Sequence, residues 1–257
     1  MAATPLPPVA PTPVPPPVEP PMSEGARIVN TFIAPSRTFT DLRRNAKWWG
    51  PFLLMVIVST VLVYTAGQKV GFRKIMENQM QSQPKAQERL ERLPADQREQ
   101  QMEQGAKVTG MFSYIFPVLL LMIWLLLALF FLGSFRFVVG ADVSYKVCLA
   151  IVIYAALPLT LKTILSIVSL LAGISPDSFT FQNPVATNPG YFMNPTDGVF
   201  LYSLGTALDV FTIWTLVLTA IGFTCVAKIK TGTAYAVVFG WWLVLTVGIA
   251  AIGAAFS

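Results

Sequence analysis

Five apolar runs divide this chain, at residues 49–66, 111–133, 146–173, 199–227 and 234–256. The hydrocarbon core of a bilayer is about 30 Å thick, and a helix rising about 1.5 Å per residue needs roughly 17–25 residues to cross it. Within lipid every backbone N–H and C=O must find its partner inside the protein, so runs of this length fold as helices. Composition agrees, with 54% hydrophobic and 12% charged residues, against about 25% charged in an ordinary soluble domain. The pattern predicts an all-α, polytopic membrane domain over residues 49–256 with five transmembrane helices.

The remainder flanks or joins these spans. Residues 1–22 contain ten prolines, too many for a helix or a core, and read as a disordered tail of polyproline-II character. The tail lacks the charged start and apolar centre of a signal peptide. In residues 23–48, Ile28, Val29, Phe32 and Ile33 recur at helical spacing until Pro35. Ser36 then suits the cap of a second short helix carrying Phe39 and Leu42. Arg27, Arg37, Arg43, Arg44 and Lys47 accompany them, so a juxtamembrane amphipathic segment on an anionic membrane surface is expected. Trp48 and Trp49 are the interfacial anchors of the first span. Residues 68–110 form a loop with eight basic and six acidic residues, expected to be two charged helices outside the membrane, broken at Pro84 and Pro94.

Basic residues set the orientation. With the N-terminus inside, Arg136, Lys146, Lys228 and Lys230 join the N-terminal cluster on the inner side, while loop 174–198 has no Lys or Arg. The positive-inside rule then predicts N-in, C-out, with the eight basic residues of loop 68–110 running against it.

Several activities are excluded by what is missing. There is no His, which removes Ser-His and Cys-His nucleophile pairs and most zinc sites. No Gly-x-Ser-x-Gly run or paired intramembrane Asp is present, so no catalytic residues are assigned and no enzyme is expected. Cofactor and metal are expected to be none. The net charge of +5 reflects basic residues flanking spans, and no nucleic-acid partner is implied. Cys148 and Cys225 define no disulfide framework.

Two charges stand deep inside apolar runs, Lys162 in the third and Asp209 in the fourth. A charge at the centre of a membrane helix costs roughly 2.5–3.5 kcal/mol on insertion scales. The simplest resolution is that they meet, and counting residues from the outer ends puts both at one depth, near the midplane. Ala155, Pro158, Lys162, Ser166, Ser169 and Gly173 form one stripe at helical spacing; Tyr202, Gly205, Asp209, Thr212, Leu216 and Thr219 form another. Small and hydroxylated residues so spaced mark helix–helix interfaces in lipid. Pro158 predicts a kink. The pair reads either as an ion pair that fixes helix register or as part of an ion or proton pathway. Three Asn-Pro steps in loop 174–198 read as turn chemistry. On the fifth span Gly232, Ala236, Gly240 and Gly248 make a close-packing stripe for a neighbouring span or a second copy of the protein.

Particular stretches are similar to a known family. Ile33-Ala34-Pro35-Ser36 through Phe39, Trp49-Gly50-Pro51-Phe52, Tyr154-Ala155-Ala156-Leu157-Pro158, Leu208 to Trp214, Ile221-Gly222 and Lys228 to Ala234 resemble the Yip domain family in its bacterial-type branch. These are five-pass membrane proteins named for interaction with Ypt/Rab GTPases, and the likeness covers roughly residues 28–256. The resemblance implies a cytoplasmic N-terminus and supplies no catalytic residues. It implies a non-enzymatic integral membrane scaffold, with the lipid bilayer and unidentified membrane or cytoplasmic proteins as partners and a homo-oligomer as one mode of assembly. The expected location is a bacterial cytoplasmic (inner) membrane, or an endomembrane in a eukaryote. The alternative is a small transporter or channel using the Lys162–Asp209 site.

Overall fold

The computed structural model describes residues 20–81, 84–194, 196 and 198–256, so most of the Pro-rich tail lies outside the described residues. Eleven α-helices and no strand occur among them. Five helices or helix pairs are long and apolar enough to cross a membrane. The first is α3 (Trp49–Lys69), 21 residues or about 31 Å of helix. The second is the end of α6 (Ala95–Gly133), the third is α7 (Tyr145–Ala155) followed by α8 (Leu157–Leu171), the fourth is α10 (Val210–Ala227), and the fifth is α11 (Thr231–Phe256).

The third span is the centre of the bundle. Its first half is buried residue after residue from Cys148 to Pro158, with α6 and α10 packed on α7 and α3 packed on α8. The kink expected from Pro158 is a clean break. The α7 helix ends at Ala155, and Pro158 lies in the first turn of α8, where its missing N–H leaves no bond unmade. Beneath it Phe135 stacks on Phe223 at 4.1 Å between ring centroids, and Phe131 lies 5.1 Å from the same ring.

Three segments depart from the expected layout. The polar stretch after Pro94 is the first part of α6, one helix about 58 Å long that continues into the second span. Its polar end packs against α4 (Phe72–Gln81), with α5 (Pro84–Glu91) between them in sequence. The fourth apolar run is two helices, α9 (Val199–Ala207) and α10, broken at Leu208-Asp209. The third departure is the segment before the first span, which forms α1 (Glu24–Ile33) and α2 (Pro35–Leu42). Ser23 caps α1, and Ser36 lies inside α2 rather than capping it.

The expected amphipathic surface helix is a hairpin packed into the bundle, and it buries a polar cluster beside its apolar side chains. Arg27, Thr31, Thr38 and Asp41 are buried, while Val29 and Ile33 are exposed. Arg27 Nε donates to Asp41 Oδ2 at 2.7 Å, and the Tyr154 hydroxyl donates to Glu24 Oε2 at 2.7 Å. The hydroxyls of Thr31 and Thr38 both donate to the Arg27 carbonyl. Burying an ion pair is tolerable only when the charges are paired and hydrogen-bonded, as here. These polar groups turn inward to one another beside Ile28 and Phe32, while Val29 and Ile33 face outward. Phe39 and Leu42 of α2 complete the anchor, with Phe39 against Gly222 of α10, where any larger residue would collide with Ile151. Of the anchors, Trp49 is exposed, whereas Trp48 turns inward onto Phe52 at 5.9 Å.

Removing Asp41 leaves the Arg27 guanidinium buried without its main partner. Asp41→Ala is expected to cost about 3–5 kcal/mol, and the double change Arg27→Met, Asp41→Leu to recover most of it. Thermal unfolding of the purified protein in detergent measures both.

Candidate functional site

The break in the fourth run creates the site. A helix that starts inside a bundle exposes its first N–H groups, which must be satisfied locally. Asp209 is the residue that does it. Its Oδ1 accepts from the backbone N–H of Phe211 at 3.0 Å and of Thr212 at 3.2 Å. The N–H of Val210 is taken by the carbonyl of Thr187 at 3.1 Å, and that of Ile213 by the carbonyl of Asp209 at 2.9 Å. A carboxylate at a helix N-terminus also meets the positive end of the helix dipole.

The second oxygen gathers three further donors. Asp209 Oδ2 accepts from Lys162 Nζ of α8 at 2.9 Å, from the Thr187 hydroxyl, and from Asn188 Nδ2 at 3.4 Å. Asn188 and Asn183 exchange amide hydrogen bonds of 2.7 and 3.3 Å, and Asn188 Oδ1 also accepts from the N–H of Tyr191. Both Asn residues are buried. Asp209 itself is 1% exposed, and the Lys162 side chain 19%. The site is a carboxylate with five donors, one cation, and a loop folded onto it.

The pairing of Lys162 with Asp209 is as expected, but its setting differs. Asp209 is a helix cap, so the stripe from Tyr202 to Thr219 is not continuous. Gly205 faces the loop rather than the third span. A Cβ there would lie 3.0 Å from the Gly190 nitrogen and 2.9 Å from Met193 Sδ. Gly190 is as tightly held, since its Cβ would lie 2.6 Å from the Thr206 nitrogen. Thr212 contributes its backbone N–H to the cap. Ser166 is buried on α8, with its hydroxyl donating to the Lys162 carbonyl at 2.8 Å. Among the described residues nothing outside α11 lies within 4 Å of where a Cβ of Gly240 or Gly248 would stand, so no described span of the same chain fills the stripe on α11 there. The pair stands 17 residues along from Tyr145 and 18 residues before Ala227, about 26 Å of helix from the side that carries the N-terminus. That places it beyond the expected midplane, on the side away from the N-terminus, where α10 begins and the loop tucks in.

Thr187, Asn188, Asn183 and Gly190 are the members that sequence reading missed. A signal existed in the Asn183-Pro184 and Asn188-Pro189-Gly190 steps within a loop that has no cation of its own. Turn chemistry explains their local shape, whereas their aim toward Asp209 depends on the break in the fourth run.

The same loop is fastened from its other side. Asn78 of α4 donates to the carbonyls of Pro176 and Phe179 at 2.7 and 2.9 Å, and Lys74 Nζ lies 2.5 Å from Asp177. This hydrogen bond raises the Lys74 pKa above the ordinary lysine value. The latch is therefore fully present below that ordinary value and is lost only as pH rises past the raised one. The contact also puts the loop between α3 and α6 on the same side of the bundle as loop 174–198, as five alternating crossings require. Among the described residues no group of three or more metal-ligating side chains occurs, and both cysteines are free.

Asp209→Ala removes the cap and strands Lys162, and is expected to cost about 3 kcal/mol or more. Asp209→Asn, which can still accept from the α10 N–H groups, is expected to cost less. Exchanging the charges (Lys162→Asp with Asp209→Lys) is expected not to restore stability, because a lysine cannot cap a helix N-terminus. Full recovery by the exchange would show that the ion pair, not the cap, dominates. Asn78→Ala is expected to speed amide hydrogen exchange across residues 176–181, read by mass spectrometry.

Over residues 29–252 the chain matches the family model described as the Yip1 domain. No curated protein and no solved structure matches it.

Proposed function

The chain belongs to the Yip1 domain family, and from that premise we propose that it is a non-enzymatic membrane scaffold or organiser, assembling through its outer helix faces and meeting partners on the side that carries α1 and α2. The observation that carries this reading is the saturation of Asp209. An ionised carboxylate offers about four lone-pair sites, and five donors converge on this one. A transported ion or proton needs a carboxylate that can exchange partners, whereas this one holds a helix start, a loop and a neighbouring span together. The transporter reading therefore has less support.

Assembly has a surface available. The α11 helix is the most outward-facing of the spans, and Gly240 and Gly248 would let another backbone approach closely. Partner binding at the N-terminal side is supported by Arg37, Arg43 and Lys47, which are exposed beside the buried hairpin. The positive-inside rule and the family resemblance favour a cytoplasmic N-terminus, in a bacterial inner membrane.

Single Cys substitutions test the assembly. In a background with Cys148→Ala and Cys225→Ala, Gly240→Cys and Gly248→Cys are expected to form disulfide-linked dimers in membranes, while Cys at buried Ala250 is not. Dimers at neither glycine would remove α11 as the assembly face. A solute flux in reconstituted vesicles that disappears in a folded Asp209→Asn variant would overturn the scaffold reading itself.

A further inference from the structure

The fifth span leans on α9 and α10 and stands off from α6, and a crevice runs between them. Trp241 of α11 divides it. Its indole N–H donates to Ser134 Oγ at 2.8 Å, and its ring lies 5.3 Å from that of Phe130. On one side is a cavity of about 380 Å³ against Leu129, Gly133 and Val138. On the other, a cavity of about 170 Å³ reaches past Trp124 and Leu216 to Val152 of the central span. The walls are apolar apart from the Ser134 hydroxyl, threonine hydroxyls and indole edges. A water there would find few of the polar partners it needs, so the space suits an apolar occupant.

The wider chamber ends at the π-helical turn Ser134–Val138. Phe137 and Val138 are 80% and 82% exposed there, which is unfavourable in water and natural in lipid. Arg136, directly before them, is exposed as well, and a long side chain so placed extends from apolar surroundings to the headgroups. Lys146, Lys228 and Lys230 are exposed on the same side of the bundle. Among the described residues none of these four cations forms an ion pair. The crevice thus joins an apolar slot of acyl-chain character to an uncompensated positive charge at one end.

We propose that the α6–α11 crevice is a phospholipid site that takes an acyl chain against Trp241 and holds an anionic headgroup at Arg136. Anionic phospholipid fits both features at once, whereas a helix from a second copy would satisfy the slot and leave the charge unmatched. The inference rests on the membrane fold and is independent of the scaffold reading.

Bromine quenches nearby indoles, which makes Trp241 a reporter. The full chain is reconstituted in phosphatidylcholine vesicles containing brominated phosphatidylglycerol or, separately, brominated phosphatidylcholine. The Trp241→Phe variant identifies the contribution of Trp241. Quenching of Trp241 is expected to saturate at about five-fold lower mole fraction of the anionic lipid, the effect of one basic residue at a membrane surface. Arg136→Gln, an exposed change that leaves the core untouched, is expected to bring the two lipids to near parity. Thr246→Phe, which fills the inner chamber, is expected to weaken quenching by both. Equal saturation by the two lipids in the unaltered protein would mean ordinary annular lipid and overturn the proposal, as would a preference that survives Arg136→Gln. Disulfide-linked dimers through Leu245→Cys in the same vesicles would assign the crevice to a second copy and overturn it as well.

Discussion

One carboxylate holds the half of this bundle away from the N-terminus in place. The fourth apolar run breaks at Leu208-Asp209, and a helix start within an apolar bundle leaves backbone N–H groups that lipid cannot satisfy. Asp209 answers two of them with one oxygen. With the other it collects Lys162, Thr187 and Asn188. The break can persist because the cap is there. The carboxylate is fully partnered because Lys162 and the loop surround it. Loop 174–198 then has a reason to fold inward, bringing Gly190 against Gly205 closely enough that neither position has room for a side chain. A charge that would be a liability in a straight helix becomes the part on which α8, α9, α10 and the loop agree.

A second polar cluster acts from the other side. Glu24, Arg27 and Asp41 close on one another and on Tyr154, and they seat the α1–α2 hairpin against α7 and α10. The third span carries both clusters, Tyr154 on one side of the Pro158 break and Lys162 on the other. This explains why that span is the most buried of the five. Polar groups are spent on internal joints, and the faces left outward are apolar. Such a molecule is well suited to meeting lipid and other helices.

Much of this was legible in the residues. The five spans followed from run length, the kink from Pro158, and the meeting of Lys162 with Asp209 from the cost of leaving either alone in lipid. Other features were hidden for identifiable reasons. Leu208-Asp209 contains no proline or glycine, so nothing local announces a break. The helix stops there because capping and loop contacts, made with residues some twenty positions earlier, outweigh the intrahelical bonds. Arg27 read as a juxtamembrane charge and Asp41 went unremarked, since a helix with apolar residues at Val29 and Ile33 looks the same whether that face meets lipid headgroups or the outside of a bundle. Gly240 and Gly248 suggested close packing, yet within the chain they pack against nothing, because small-residue spacing reports that a face is able to pack and not what it packs on.

The residues by themselves determined the class of molecule: an all-α membrane protein with five spans, in which one lysine and one aspartate had to find each other. Both conclusions rest on solvation, a property each segment carries alone. Tertiary structure decided which backbone stays helical, which way α1 faces, and how loop 174–198 reaches Asp209. Those outcomes depend on partners distant in sequence, and a hydrogen bond to Asp209 exists only once α8, α10 and the loop share one place. What began as two costly charges in apolar runs is, in the folded chain, a capped helix start with a cation and a loop fastened to it.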